Sequence, residues 1–463
     1  MEVLLQKHVF RRFAFLTLTF CLFFVPSVIG QKNKSKQKPN IILIYADDLG
    51  YGDLGSYGQK MIKTPNLDRL ARNGIRFTDF YASAPVCAPS RASLMTGRHQ
   101  GHAVIRGNNN DRGERVPLGP EDTTIAEVLK TVGYRTGIIG KWGLGEPETT
   151  GVPNRKGFDY FFGYLNQTRA HNYYPDFLWR NTEKVTLPKG TYSHDLFTKE
   201  AIDFIDREKE TPFFLYLAYT LPHANNELTR RTGNGMEIPS DAPYTDESWS
   251  PQQKNYAAMV SRLDRDVGRL LDLLKQLKIE KKTIVIFTSD NGPQDKNEGG
   301  YDQTLFGSNG SLRGLKRELY EGGIRMPLIV RWPGRIRSGR LSRNVWAQYD
   351  LLPTFAEIAG ASPPKEIDGI SMLPALFGKT RPEHKFLYWE FHEGGFVQAV
   401  RMGKWKALRR GLKGKIELYD LAKDVKETTD VAAKNPKIVE KIAAIMQSEH
   451  AESKNWADRE NAP

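Results

Sequence analysis

The sequence NIILIYADD, residues 40–48, joins a short apolar run to two adjacent acids. Apolar residues occupy nearly every position of the run, which is typical of a strand buried on both faces, as in a parallel sheet. The sequence TIVIFTSDN, residues 283–291, repeats the arrangement. Because the ligand site of such sheets lies beyond the carboxyl ends of the strands, the pairs Asp47-Asp48 and Asp290-Asn291 can face a single point.

Strand and helix patterns alternate along most of the chain. Further buried strands are predicted at residues 135–140, 213–219 and 327–331, and helices at residues 66–73, 122–132 and 252–278. The first two helical patterns end at Gly74 and Gly133, and glycine is a common residue just after a helix. The alternation predicts an α/β fold in which helices sandwich a large, mostly parallel or mixed central sheet.

The pattern changes from about Pro382. Short strand-like runs punctuated by glycine follow at residues 386–391, 397–401, 405–409 and 417–419. We therefore expect an α/β domain at residues 39–380 and a smaller C-terminal subdomain at 381–463, with an antiparallel sheet followed by a polar helix. The Gly- and Asn-rich residues 108–115 and 292–311 are predicted to be long surface loops.

Composition excludes several classes of protein. The 463 residues correspond to about two to four domains. With 39% hydrophobic and 11% aromatic residues, the chain is not disordered throughout. Two cysteines exclude a disulfide-stapled scaffold, and nine histidines without paired cysteines argue against zinc fingers. The excess of 67 Lys and Arg over 54 Asp and Glu suits an anionic substrate. The globular part contains no basic run interleaved with aromatic residues, so the sequence does not predict nucleic-acid binding.

The first 38 residues have the pattern of a targeting segment. Lys7, Arg11 and Arg12 precede an apolar centre at residues 13–25, and small residues lie before Gly30. This order predicts a cleavable signal peptide at residues 1–30 and a basic linker at 31–38, hence a secreted or periplasmic protein. The apolar centre is shorter than the roughly 20 residues of a spanning helix, so we expect no stable membrane insertion; an uncleaved anchor is the alternative.

The polar pairs after the two strands have the chemistry of a metal site. Asp47, Asp48, Asp290 and Asn291 form an all-oxygen set, which prefers a hard cation such as Ca²⁺ or Mg²⁺ over zinc. The alternative is that each aspartate only caps a following helix or turn.

The segment PVCAPSRASLMTG, residues 85–97, places Cys87 at the predicted start of a helix. A helix N-terminus presents free N–H groups and a positive dipole end, which suit an anion. Arg91 lies one turn away on the same face, where its guanidinium can hold oxygens bound beside the cysteine. A buried structural cysteine and a reactive thiolate nucleophile are the two alternatives for Cys87.

With this segment the chain resembles the sulfatase family of the alkaline phosphatase superfamily, whose Cys-x-Pro-Ser-Arg signature it matches without a gap. The resemblance extends from residue 39 to about 430 and includes residues 47–53, 64–68, 289–292 and 321–327. In this family a formylglycine-generating enzyme oxidises the cysteine before folding to an aldehyde, which hydrates to a gem-diol. The resemblance implies that Cys87 becomes this nucleophile and that Arg91 holds its gem-diol.

The resemblance also implies roles for the remaining candidates. Asp47, Asp48, Asp290 and Asn291 would bind Ca²⁺, in preference to Mg²⁺, together with a sulfate oxygen. Lys141 and Lys316 would contact the sulfate, and His223 would protonate or steady the leaving alcohol. These charges agree with the chemistry of a sulfate monoester, whose bridging oxygen gains negative charge as the S–O bond breaks.

One position departs from the family pattern. Many members place a histidine after Lys-Trp that acts as base when sulfate is released, and this chain has Gly143. Either another group takes that proton or turnover is altered. His171 is a candidate substrate-binding residue that substitutes for or supplements the missing base; the alternative is a histidine packed under a loop.

The sequence therefore predicts a secreted, Ca²⁺-dependent formylglycine sulfatase acting on sulfated carbohydrates or aryl sulfates. One alternative is a formylglycine hydrolase of phosphonate or phosphate esters. A second is a non-catalytic binder of sulfated glycans, motivated by Gly143 and the basic balance. A two-zinc phosphatase is disfavoured because the extra Asp and His ligands that it needs are not apparent.

Overall fold

The computed structural model describes residues 38–380 and 382–456. The expected signal peptide, and all of the expected linker except Lys38, lie outside these residues. Within the two described ranges, no helix has both the length and the apolar character needed to cross a membrane.

The main sheet of the described residues has eleven strands. In chain order they are β1 (Asn40–Ala46), β2 (Ile75–Tyr81), β3 (Arg135–Lys141), β4 (Tyr160–Tyr164), β5 (Phe177–Arg180), β6 (Glu183–Thr186), β7 (Phe213–Ala218), β8 (Thr283–Ser289), β9 (Arg325–Arg331), β10 (Arg340–Ser342) and β11 (Trp346–Ala347). Their spatial order is β10-β2-β9-β8-β1-β7-β3-β4-β5-β6, with β11 also paired to β2. Strand β1 is parallel to β7 and β8, whereas β9 is antiparallel to β8 and β2. The sheet is mixed, as predicted.

The position of β1 explains its apolar sequence. It lies between β7 and β8, and all seven of its residues are buried, so both faces of the strand are covered. The register pairs Ala46 with Ser289. The residues that follow these two, Asp47 and Asp290, therefore leave the sheet side by side at its carboxyl edge.

Helices cover both faces of this sheet. The α-helices of the described residues are α1 (Pro65–Arg72), α2 (Cys87–Thr96), α3 (Ile125–Lys130), α4 (Ser193–Glu208), α5 (Asn226–Thr232), α6 (Pro251–Gln276), α7 (Lys296–Gly299), α8 (Gln303–Phe306), α9 (Glu321–Ile324), α10 (Leu351–Ala359), α11 (Leu373–Leu376) and α12 (Pro436–Ser448), and not all of them pack on this sheet. One apolar cluster joins α1, α4 and α6 to one face of the sheet, and a second joins α2, α3 and α10 to the other. The predicted sandwich of helices around the sheet is confirmed.

Two predicted segments differ in detail. Helix α3 begins later than the predicted residue 122, because Thr124 caps it. The Thr124 side chain accepts a hydrogen bond from the Glu127 N–H, and the Glu127 carboxylate accepts one from the Thr124 backbone N–H. Residues 292–311, predicted as an extended loop, contain the one-turn helices α7 and α8. The side chains of Asp295 and Asp302 cap these two helices.

A separate antiparallel sheet lies near the C-terminus, as predicted. It contains β12 (Leu387–Phe391), β13 (Val397–Met402), β14 (Trp405–Arg410) and β15 (Ile416–Asp420), paired in that order. Helix α12 packs on it through Ile442 and Met446. The domain boundary at residues 380 and 381 stays a prediction.

A buried ionic network ties this small sheet to the segment that leads into β9. The Nζ atom of Lys406, in β14, lies 3.2 Å from Glu321 and 3.4 Å from Glu427. Arg325 donates to Glu321 from the other side at 2.6 Å. All the charges are nearly or fully removed from solvent, so each requires its partners. The network fixes α9, which leads directly into β9, against the small sheet.

We expect Lys406→Met to lower the free energy of unfolding by about 3–5 kcal/mol, because it leaves two buried carboxylates without their shared cation. Lys404→Met is the matched control. Lys404 is half-exposed and pairs with Asp420, and such pairs contribute about 0–1 kcal/mol. Urea unfolding measures both variants, and equal losses would contradict a structural role for the network.

Candidate active site

The two polar pairs after β1 and β8 interlock. The backbone N–H of Asp48 donates to Asp290 Oδ1 at 3.0 Å, and Asn291 Nδ2 donates to Asp48 Oδ1 at 2.6 Å. The backbone of Asp48 is left-handed, with φ of 62°, which turns its carboxylate back toward the second pair. The structure thus brings the four predicted metal ligands together, all buried.

Three cations surround the three carboxylates. Their shortest contacts are Lys141 Nζ to Asp47 at 2.7 Å, Lys316 Nζ to Asp48 at 2.8 Å and Arg91 Nη2 to Asp290 at 2.8 Å. Each cation comes from a different part of the chain: the end of β3, the loop before α9, and the second turn of α2. The predicted site residues are therefore assembled by tertiary structure rather than by one local motif.

The carboxylates are nevertheless crowded. Burial, together with the charge of Asp47, raises the pKa of Asp290 to about 7 and that of Asp48 to about 6, although Lys316 opposes the latter shift. Burial also acts to raise the pKa of Asp47, but Lys141 and Arg91 hold that pKa well below its usual range. Three like charges in one buried cluster are most stable when further positive charge is bound among them.

The donor set fits a hard cation. The Oδ1 atom of Asn291 is buried and has no hydrogen-bond partner among the described residues, although its Nδ2 is paired. A free amide oxygen beside three carboxylates forms an all-oxygen set. Donor atoms of Asp47, Asp48, Cys87 and His223 also lie within 4.8 Å of one another, so this buried group could hold a metal ion.

Cys87 is the first residue of α2 and lies against this cluster. Its Sγ is 3.4 Å from Asp47 Oδ1, and the residue is only 3% exposed. Burial and the Asp47 carboxylate raise the pKa of the thiol, so the sulfur is held in its protonated form. Burial and the neighbouring carboxylate therefore disfavour the thiolate alternative for Cys87.

The first turn of α2 is open toward the site. Its N-cap residue, Val86, makes no side-chain capping bond, and the Ala88 N–H is satisfied instead by the side chain of Asn108 at 3.1 Å. Arg91 is fully buried one turn further on, where it also donates to the backbone oxygen of Lys141 at 3.1 Å. The helix thus holds its positive end and a fixed guanidinium beside residue 87.

His223 lies against Asp48, with its Nε2 3.3 Å from Asp48 Oδ2. Its Nδ1 is 2.6 Å from the backbone oxygen of Ala224, so Nδ1 carries the hydrogen, and Nε2 accepts from Lys316 Nζ at 3.1 Å. Burial and the Lys316 charge hold the pKa of His223 well below its usual range. The hydroxyl of Tyr173 lies 2.6 Å from the His223 backbone oxygen and fixes this segment.

His171 stacks on His223, with ring centroids 4.4 Å apart and planes 16° from parallel. Its Nδ1 lies 3.0 Å from Glu227, which orients the ring. The structure therefore places His171 next to His223 at the mouth of the site. The sequence did not predict the contact between Glu227 and His171, because it depends on how α5 packs.

A second histidine cluster lies outside the site, just after α2, and its side chains contact one another. Among the described residues, His99, His102 and Glu449 also group closely enough to hold a metal. However, His99 accepts from the Gly101 N–H and contacts Glu449 at 3.2 Å, and the two imidazoles stack 4.2 Å apart. These groups already satisfy one another, so the cluster links the end of α2 to the C-terminal segment.

Comparison with known proteins identifies the family. The family model described as Sulfatase matches residues 39–361, which is more than half of the chain. The chain belongs to the sulfatase family. A second model, described as N-sulphoglucosamine sulphohydrolase, C-terminal, matches residues 314–455 of this sulfatase. The chain is accordingly a sulfuric ester hydrolase, and the resemblance inferred from the sequence is confirmed.

Individual relatives agree with this assignment. The sulfatase is 35% identical to N-acetylgalactosamine-6-sulfatase of Canis lupus familiaris, over 80% of this chain and 72% of the relative. It is also 35% identical to arylsulfatase A of Homo sapiens, over 80% and 74%. The solved structure of Ps i-CgsB in complex with k-i-k-neocarrahexaose is 32% identical, with a TM-score of 0.79, and covers 91% of this chain and 95% of its own.

Gly143, the departure noted in the sequence of this sulfatase, lies against Gln167. A Cβ atom at position 143 would stand 2.6 Å from the Cδ of Gln167, and the glycine has a left-handed φ of 77°. The side chain of Gln167 therefore fills the space that a side chain at position 143 would take. Nothing in the sequence signals this contact, because it depends on the path of the loop after β4.

We expect Gly143→Ala to cost more than Gly190→Ala in free energy of unfolding. Gly190 is a matched control, since its φ is 83° but nothing lies within 4 Å of its would-be Cβ. A left-handed alanine costs about 1–2 kcal/mol at either position, and packing against Gln167 adds about 1–3 kcal/mol at 143. Urea unfolding compares the two; equal costs would mean that Gln167 does not hold a fixed place.

Proposed function

We propose that this sulfatase hydrolyses sulfate monoesters on carbohydrates, using a formylglycine derived from Cys87 and a bound Ca²⁺. The observation that carries the proposal is the position of Cys87. It begins a buried helix, 3.4 Å from Asp47, among three fixed cations and three carboxylates. We further propose export through the N-terminal signal peptide, which the positive, apolar and small segments of the sequence support.

Asp47, Asp48, Asp290 and the free oxygen of Asn291 would hold the Ca²⁺, in preference to Mg²⁺. When bound, the ion supplies positive charge that offsets the buried carboxylates and attracts a sulfate oxygen. Lys141 and Lys316 keep their ammonium groups in the same buried space, where charge interactions are less screened than in water. These positive charges favour binding of an ester whose sulfate group is ionised.

The burial of Cys87 bears on how it would be modified. In the folded chain its side chain is 3% exposed, so a formylglycine-generating enzyme would have to act before folding is complete. The hydrated aldehyde would supply an oxygen nucleophile and a second hydroxyl through which sulfate can be released. Arg91, fixed by Asp290 and the Lys141 backbone, would orient those oxygens.

His223 and Lys316 would assist the leaving alcohol. The lysine donates to His223 Nε2 at 3.1 Å, so the two groups can hold a proton beside the oxygen that gains charge as the ester bond breaks. Tyr173 and Ala224 fix the histidine backbone and ring, which keeps Nε2 facing the site. The stacked His171 would form the adjoining wall and contact the substrate.

A carbohydrate substrate is supported by the relatives and by the rim of the site. One curated relative is named for N-acetylgalactosamine-6-sulfate chemistry, and a solved neighbour contains a neocarrahexaose. Around His171 the rim carries the partly exposed Glu227 and Arg115, groups that suit hydroxyl and amide recognition. Aryl sulfates are a second candidate substrate, since arylsulfatase A is an equally similar relative.

The test is release of inorganic sulfate from a panel of sulfated galactose and galactosamine saccharides, with Cys87→Ala as the control. Protein made with a formylglycine-generating enzyme should release sulfate, and the control should lose at least about 10³-fold in kcat, because its nucleophile is absent. The result that contradicts the proposal is equal release by the two proteins.

The phosphonate or phosphate ester alternative is separated by comparing matched aryl esters. We expect kcat/KM on the aryl sulfate to exceed that on the aryl phosphonate. Both esters carry one negative charge, but the sulfate presents three non-bridging oxygens to the ion and the two lysines, whereas the phosphonate presents two and a carbon substituent. Higher kcat/KM on the phosphonate would overturn the sulfate ester as the preferred substrate while leaving the nucleophile intact.

A further inference from the structure

The side chain of Gln167 occupies a position that the mechanism above leaves unassigned. It fills the space beside Gly143, two residues after Lys141, whose ammonium contacts Asp47. Asp47 in turn lies 3.4 Å from the sulfur of Cys87. Gln167 thus borders the chain segment that reaches the nucleophile from β3.

Gln167 also borders the segment that carries the nucleophile. Its Nε2 lies 3.5 Å from Asn108 Oδ1, and the same oxygen accepts from the N–H of Ala88, the residue after Cys87. The amide group is therefore held between α2 and the end of β3. This position is fixed by packing, since a Cβ at residue 143 would collide with it.

One atom of this amide is unused. Gln167 is 5% exposed, and its Oε1 is buried without a hydrogen-bond partner among the described residues. A buried carbonyl oxygen without a donor costs free energy, so such an atom calls for a partner that binds later. A hydrogen-bond donor would complete this amide, whose Nε2 faces Asn108 beside the start of α2.

His171 is not that group. Its ring stacks on His223 and its Nδ1 is engaged with Glu227, on the leaving-group side of the site. Gln167 lies four residues earlier in the chain, and its side chain fills the space left by the missing side chain of Gly143. The loop after β4 therefore supplies two site groups, an imidazole on one side and a carboxamide on the other.

We propose that Gln167 is a positioning residue whose Oε1 accepts a hydrogen bond from a hydroxyl of the hydrated formylglycine at position 87. The inference rests on the proposed function. A carboxamide does not take a proton at neutral pH, so Gln167 orients and favours the hydrate, and the proton lost when sulfate leaves passes to water.

Two substitutions separate the acceptor from the space that it fills. Gln167→Met keeps the length and volume but removes the acceptor, whereas Gln167→Glu keeps acceptor oxygens of the same length. The first should lower kcat roughly tenfold with little change in KM, the size expected for one lost hydrogen bond. The second should retain more of kcat than the methionine variant, with a higher KM because its charge repels sulfate.

A readout independent of turnover follows the aldehyde itself. Without the acceptor, less of residue 87 is hydrated, so a hydroxylamine probe should label Gln167→Met roughly tenfold faster than wild type. Formylglycine content, by peptide mass spectrometry, and thermal melting are measured on every sample to confirm equal modification and folding. Wild-type values of kcat and labelling rate in Gln167→Met would overturn the role of Gln167.

These outcomes are distinct from a failure of the proposed function. If wild-type protein hydrolyses sulfate esters with residue 87 modified, the nucleophile stands and only the role of Gln167 is in question. If active wild-type protein contains an intact thiol at residue 87, both the proposed function and the inference from it are wrong.

Discussion

Repulsion among three buried carboxylates is the constraint around which this site is built. The parallel pairing of β1 with β8 brings Asp47, Asp48 and Asp290 to one point at the carboxyl edge of the sheet, out of reach of water. Such charges persist in a folded protein only where counter-charges are fixed among them. Lys141, Lys316 and the guanidinium on α2 supply that charge from three separate segments. Each segment must therefore fold so that its cation reaches the carboxylates.

The same constraint makes the site selective for an anion. The cations are already engaged by carboxylates, so a substrate binds well only if it competes for them or arrives with an added positive ion. The proposed Ca²⁺ would offset the charge of the carboxylates, so the lysines would be free to contact the sulfate. The ionic network around Lys406 and Glu321 serves the fold in a similar way, by holding helix α9, which precedes β9, against the small sheet.

The sequence predicted those features that depend on a local residue pattern or on a known sequence motif. The strands around β1 were predictable because burial on both faces leaves a continuous apolar run. Cys87 and Arg91 were identified as candidates because a gapless motif carries them. Other features depend on tertiary packing. Gln167 reaches the site through the path of the loop after β4, and Glu227 through the packing of α5. Helices α7 and α8 are single turns, each capped by one aspartate. The edge strands β10 and β11 are too short to leave a periodic pattern.

The most direct test of the account is the bound metal. After gel filtration, atomic emission should find one Ca²⁺ per chain of wild-type protein, and Asn291→Leu, which removes the unpaired amide oxygen but keeps the shape, should bind it much more weakly. Calcium should also raise the unfolding temperature of the wild type more than that of the variant. Wild-type protein that carries no divalent ion and still hydrolyses sulfate esters in excess chelator would contradict the account.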